Sequence, residues 1–140
     1  MQARISVITL PVEDLGVARQ FYSQGWGWTP VFGNDEVVFF QLNGLVLSLW
    51  RKDAYEADLG HPVQLRTHGV AIAHNLGSRE EVDTLVGQLS SHGARVLRQG
   101  QAQPWGGYTA YVADPDGHVW EIAHNPAWDI TPDGRTLYRA

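Results

Sequence analysis

A carboxylate in the middle of a strand-like run is the residue of this chain best placed to do chemistry. Glu121 stands amid Val119, Trp120, Ile122 and Ala123, where a half-buried strand ordinarily carries an apolar or neutral side chain. A charge on such a wall costs free energy unless something pairs with it, so Glu121 is a candidate for holding a cationic or hydrogen-donating group. The aromatic residues supply the other half of a site. Trp50, in a strand-like run, and Trp105, in the Gly-rich loop Pro104-Trp-Gly-Gly107, are of a kind that stacks on a planar ligand, whereas Trp28 and Trp120 read as core. His68, His74, His118 and His124 fit best as hydrogen-bonders at turns and strand ends, since no pair of them has metal-ligand spacing.

Composition narrows the chemistry further. The chain has 140 residues and no cysteine, which removes disulfides, thiolate nucleophiles and cysteine metal sites. Any metal would rest on His, Asp and Glu. A formal net charge of -5 with no basic cluster speaks against nucleic acid, whose backbone demands grouped Lys and Arg. No apolar run approaches the roughly 20 residues of a membrane span, and no leader-like apolar stretch follows Met1. A cytoplasmic protein with a small-molecule ligand is the expectation.

The elements that must position these residues occur twice. Ile5 to Leu10 reads as a strand, and Asp14 can cap a helix over 14–24 whose apolar face is Leu15, Ala18, Phe21 and Tyr22, with Gly25 as the stop. In the second half, Val70 to Ala73 reads as a strand, Ser78-Arg-Glu-Glu81 is a capping box, and Val82, Leu85, Val86 and Leu89 form the stripe of a helix over 79–91 before Gly93. Each half then closes with a hairpin, one around Asn43-Gly44 and one around Asp114-Pro-Asp-Gly117. The plan is a βαβββ unit used twice within one domain: a first module over about 4–52, a linker over 53–67, a second module over about 68–126, and a tail over 127–140 too apolar to hang free.

Alternation predicts which side chains share a face. A two-residue turn at Asn43-Gly44 sets Phe40 opposite Leu47 and Val38 opposite Leu49 beneath the helix, leaving Phe39, Ser48 and Trp50 on the other face. The same parity in the second hairpin predicts Tyr108, Ala110, Val112, Glu121 and Ala123 on one face. Ser48 and Glu121 become equivalent positions. The expected ligand wall is Phe39, Trp50, Tyr108 and Glu121, with Trp105 at its rim.

The doubled βαβββ plan, Val12-Glu-Asp-Leu15 followed by Phe21-Tyr22, and above all Asp114-Pro-Asp-Gly-His-Val-Trp-Glu-Ile122 resemble the vicinal oxygen chelate superfamily, which includes glyoxalase I, extradiol dioxygenases and bleomycin-resistance proteins. The resemblance spans about residues 4–126. It implies an α+β fold whose two modules form a U-shaped sheet around a cavity, commonly in homodimers. It also implies up to four metal positions, which fall here on Val7, Ser48, Gly69 and Glu121. Valine and glycine cannot ligate, and a serine with one carboxylate does not hold a divalent transition metal against water. A one-residue shift to His68 would restore only one ligand. No metal or other cofactor is therefore expected. The leading expectation is a metal-free binder of a small planar or cationic molecule. The alternatives are a metal-dependent lyase, isomerase or dioxygenase, and acid–base catalysis by Glu121 without metal.

Overall fold

The computed structural model describes residues 2–65 and 69–138. Its first module begins with β1 (Val7–Val12) and α1 (Leu15–Gln20), which Asp14 caps by accepting the Val17 N–H at 2.9 Å. A π-helical turn over Phe21–Gly25 prolongs the helix, so the single helix expected over 14–24 is two kinds of helix in series. Then come β2 (Pro30–Gly33), β3 (Val37–Gln41) and β4 (Val46–Arg51), in the sheet order β1-β4-β3-β2. The second module repeats this with β5 (Ala71–Asn75), a helix over Arg79–Ser91, β6 (Arg95–Ala102), β7 (Tyr108–Ala113) and β8 (Val119–His124), in the order β5-β8-β7-β6. In both sheets the first strand runs parallel to the last and the other pairs are antiparallel. The α+β class and the two βαβββ modules are as expected.

Between the modules, where the sequence reads as a linker, lies another helix, so α2 is Lys52–Leu59 and the Arg79–Ser91 helix is α3. The Lys52–Glu56 ion pair at 3.0 Å supports α2, and Gly60 ends it at φ 73°. None of its residues is buried, which is why no apolar stripe announces it. The tail forms a two-stranded hairpin, β9 (Trp128–Ile130) with β10 (Thr136–Tyr138), and the Asn43 amide donates to the Asp133 carbonyl, tying it to the tip of the first hairpin.

The helix-side faces of both sheets bury one shared core. Leu10, Val12, Phe40, Leu47 and Leu49 from the first sheet join Ala110, Val112, Trp120 and Ile122 from the second, with Phe21, Tyr22, Val82, Val86 and Leu89 from the helices. Buried polar contacts then fix the modules against each other. The Tyr22 hydroxyl donates to Asp114 at 2.7 Å and accepts from the Trp120 indole at 3.1 Å, while the Glu13 N–H reaches Asp116 at 2.9 Å. Burial and the neighbouring Asp114 hold the Tyr22 phenol well above its ordinary range, so it stays a donor. No helix among the described residues is long and apolar enough to cross a membrane.

Candidate functional site

The Asn43-Gly44 turn sets the first wall. Leu42 and Leu45 close the loop, and the register runs Val38↔Leu49, Phe39↔Ser48 and Phe40↔Leu47. Phe39, Ser48 and Trp50 therefore occupy the face away from α1, as expected. Extending that row in both directions adds two residues. Phe32 of β2 lies opposite Phe39, with ring centroids 5.4 Å apart, and Thr9 of β1 lies beside Ser48. Trp50 packs at 5.5 Å against Tyr55, the one aromatic residue of α2.

The second wall departs from expectation in register. Ala113 pairs with Val119 and Tyr111 with Glu121, so the connection between the strands is the five residues 114–118. Asp114 is the cause: its carboxylate accepts the N–H groups of Asp116 at 2.9 Å and His118 at 2.8 Å, and its own N–H donates to the His118 carbonyl. That draws His118 into the loop, and one extra loop residue turns every side chain of β7 to the opposite face. Tyr108, Ala110 and Val112 accordingly lie on the helix side with Trp120 and Ile122. Tyr108 is not part of the Glu121 wall; its hydroxyl bonds Asp83 of α3 at 2.9 Å.

Tyr111 and Arg98 take the place expected for Tyr108. Across the second sheet the row runs Ala73, Glu121, Tyr111, Arg98, the counterpart of Thr9, Ser48, Phe39, Phe32 in the first. Burial, and next the negative charge of Glu121 opposite, raise the Tyr111 phenol's pKa, while Arg98 acts the other way. The Arg98 guanidinium lies 5.0 Å from the centre of the Tyr111 ring and its Nη2 donates to Thr109 at 2.5 Å. The strand pattern missed Arg98 because β6 carries register shifts between Val96 and Arg98 and between Arg98 and Gln101, which break simple alternation.

Among the described residues, three buried groups of these two faces have no hydrogen-bond partner: Ser48 Oγ, Trp50 Nε1 and Arg98 Nη1. Trp105 is folded onto its own loop, since a Cβ on Gly107 would fall inside its ring, and 55% of its surface is exposed.

The four metal positions implied by the resemblance do not fit a transition metal. Val7 is half exposed and apolar, Gly69 offers no side chain, and Ser48 with Glu121 supplies two oxygen-bearing side chains on separate sheets. Among the described residues no three His, Asp or Glu side chains gather as a metal ion requires. His68 lies outside the described residues. His118 Nε2 is engaged by the Pro11 carbonyl at 2.7 Å and His124 Nδ1 by that of Leu76 at 3.1 Å, the strand-end roles expected of them.

Known proteins share both the sequence pattern and the fold. A crystal structure of a glyoxalase-related enzyme from Fulvimarina pelagi is 44% identical and superposes with a TM-score of 0.95, covering 99% of this chain and 100% of that one. A glyoxalase/bleomycin resistance protein/dioxygenase from Nocardioides is 25% identical at a TM-score of 0.74, covering 89% of this chain and 84% of the other. The genomically encoded fosfomycin resistance protein FosX from Listeria monocytogenes is also 25% identical, with a TM-score of 0.71 and coverage of 89% and 95%. Residues 4–122 match the profile of a family whose hallmarks are already visible in the doubled module and the Asp114 to Ile122 block, and the chain belongs to it: the Glyoxalase/Bleomycin resistance protein/Dioxygenase superfamily.

Proposed function

We propose that this protein is a metal-free binder of a small planar molecule, held against the faces of the two sheets turned away from α1 and α3. The observation that supports this reading is the set of buried groups on those faces without partners among the described residues, Ser48 Oγ, Trp50 Nε1 and Arg98 Nη1. A buried donor or acceptor left unpaired costs about 1–3 kcal/mol, and a ligand that brings matching atoms recovers it. Tyr55 is the cover that must move to open Trp50, and α2, with no buried residue, offers little resistance. Phe39 and Trp50 supply apolar area, while the Glu121 carboxylate offers acceptor oxygens for a cationic or donor group on the ligand. The chain acts as a homodimer in this reading, supported by the exposed apolar residues Val31 and Phe32 on the edge strand β2.

A second reading, catalysis, draws on the Fulvimarina pelagi relative, which is called a glyoxalase-related enzyme. Glu121 with Tyr111 would then be the acid–base pair.

Metal analysis of purified protein, paired with native mass spectrometry for a retained ligand, separates the two. Less than 0.1 metal per chain and a displaceable small molecule support the binder. Stoichiometric zinc, nickel, iron or manganese, with an activity lost on chelation, would replace it with the enzyme. Trp50→Ala should weaken a planar ligand whatever its charge, read by titration of tryptophan fluorescence.

A further inference from the structure

The opposite side of the second sheet carries an open, groove-like cavity that the ligand walls do not use. It has a volume of about 290 Å³ and lies between the π-helical turn, β5 and α3, walled by Trp26, Trp28, His74, Leu76 and Leu85. Gly27, at φ 74° and with open space where a Cβ would be, reverses the chain so that the indoles of Trp26 and Trp28 come together, centroids 4.7 Å apart. His74 meets Trp26 edge-on at 5.3 Å.

Two polar features distinguish this cavity from a packing gap. Trp26 is 8% exposed, and its buried Nε1–H has no acceptor among the described residues. The His74 imidazole makes no hydrogen bond to another described residue, and burial lowers its pKa, so it is neutral and presents one donor and one acceptor nitrogen. Of the polar side chains around it, Thr84 stands exposed at the rim, and Glu81 and Gln88 are engaged elsewhere. Glu81 accepts the N–H groups of Gly77 and Ser78 in the capping box, and Gln88 donates to the Gly25 carbonyl at 2.6 Å. Such a cavity suits a flat, uncharged guest with an acceptor in its ring plane. At about 290 Å³ it sits near the lower end of ligand pockets, which sets the size at one or two fused rings.

We propose that this cavity is a second ligand site, for a small uncharged heteroaromatic molecule that stacks on the Trp26–Trp28 pair and accepts a hydrogen bond from Trp26 Nε1. Trp28, half-buried and following Gly27, is the side chain that swings to admit it. The site is independent of Glu121 and of the function proposed above.

Quinoline, uncharged above neutral pH and bearing one ring nitrogen, is the probe, with naphthalene as the same shape without the acceptor. The readout is the indole N–H region of ¹H–¹⁵N spectra, with the Trp26 signal assigned by Trp26→Phe. Quinoline should shift the Trp26 N–H downfield and saturably, and naphthalene should bind at least tenfold more weakly. Thr84 is exposed on α3 at the rim, so Thr84→Trp should block quinoline without touching the core, whereas Glu121→Gln and Trp50→Ala should leave its affinity unchanged. An unshifted Trp26 signal, equal affinity for naphthalene, or undiminished binding by Thr84→Trp would each overturn the proposal. If Trp26→Phe does not fold, a Trp28→Phe spectrum and nuclear Overhauser contacts from Leu85 to the probe supply the same decision.

Discussion

Tyr111 and Glu121 stand directly opposite each other across the β7–β8 ladder, close enough for the carboxylate's charge to act on the phenol. The pair makes the acid part of a network with Arg98 rather than an isolated charge. Burial raises the phenol's pKa most, and the Glu121 charge adds to it. Glu121→Gln removes the second cause, so the Tyr111 phenol should titrate at lower pH than in the parent, read from tyrosine Cζ shifts across an alkaline series. An unchanged titration would mean the two are not in contact. A cationic ligand should lose about 1.5–3 kcal/mol of affinity in the same variant, with folding intact.

Asp114→Ala should be the most destabilising change near the site. It strips the buried Tyr22 hydroxyl of the first module of its acceptor and frees the N–H groups of Asp116 and His118 in the β7–β8 loop of the second. A loss of about 3 kcal/mol or more is expected, measured by urea unfolding. A loss below about 1 kcal/mol would show that the loop is held by something else.

How far the site was legible turns on this same aspartate. In the first hairpin, Asn43-Gly44 admits a two-residue turn and nothing competes, so Phe39, Ser48 and Trp50 could be placed on the correct face from alternation alone. In the second, the turn residues are as easily recognised, but the loop length depends on where one carboxylate finds its donors. Reading four residues instead of five exchanged Tyr108 for Tyr111. The start of α1 and both ends of α3 were visible because capping and apolar spacing agree there; the change to a π-helical turn after Gln20 was not, nor was α2, because a helix that buries nothing needs no stripe. Arg98 lay beyond reach for a third reason, since bulges erase the period on which face assignment rests.

Asp116 gives the pH dependence a definite sign. Burial raises its pKa above the ordinary carboxylate value, opposed by the bond from the Glu13 N–H. Between the unfolded and folded pKa values the native state binds more protons, so stability falls as pH rises through that window. Asp116→Asn keeps an oxygen for Glu13 and removes the charge. The variant should therefore be at least as stable as the parent at pH 7, with any advantage vanishing below the carboxyl's unfolded pKa. Denaturant midpoints at several pH values check this, and a variant weaker only at neutral pH would reverse the assignment.

Gly107→Ala should dislodge Trp105. The added methyl cannot coexist with the indole lying over that backbone, and rotating the ring outward is the cheapest relief. A red-shifted tryptophan emission with easier acrylamide quenching is expected, absent when Trp105→Phe is combined with it. An unchanged spectrum would mean the ring does not rest there.

The bond from Tyr22 to Asp114 and the bond from Trp120 to Tyr22 lie on the opposite side of the sheets from Phe39, Ser48 and Glu121. What joins the halves is thereby screened from what faces a ligand by the thickness of a β-sheet. Exchanges at Thr9, Ser48, Ala73 or Glu121 can accumulate without testing the joint, so descendants of such a chain can change guests, or gain and lose a metal, while inheriting the same frame.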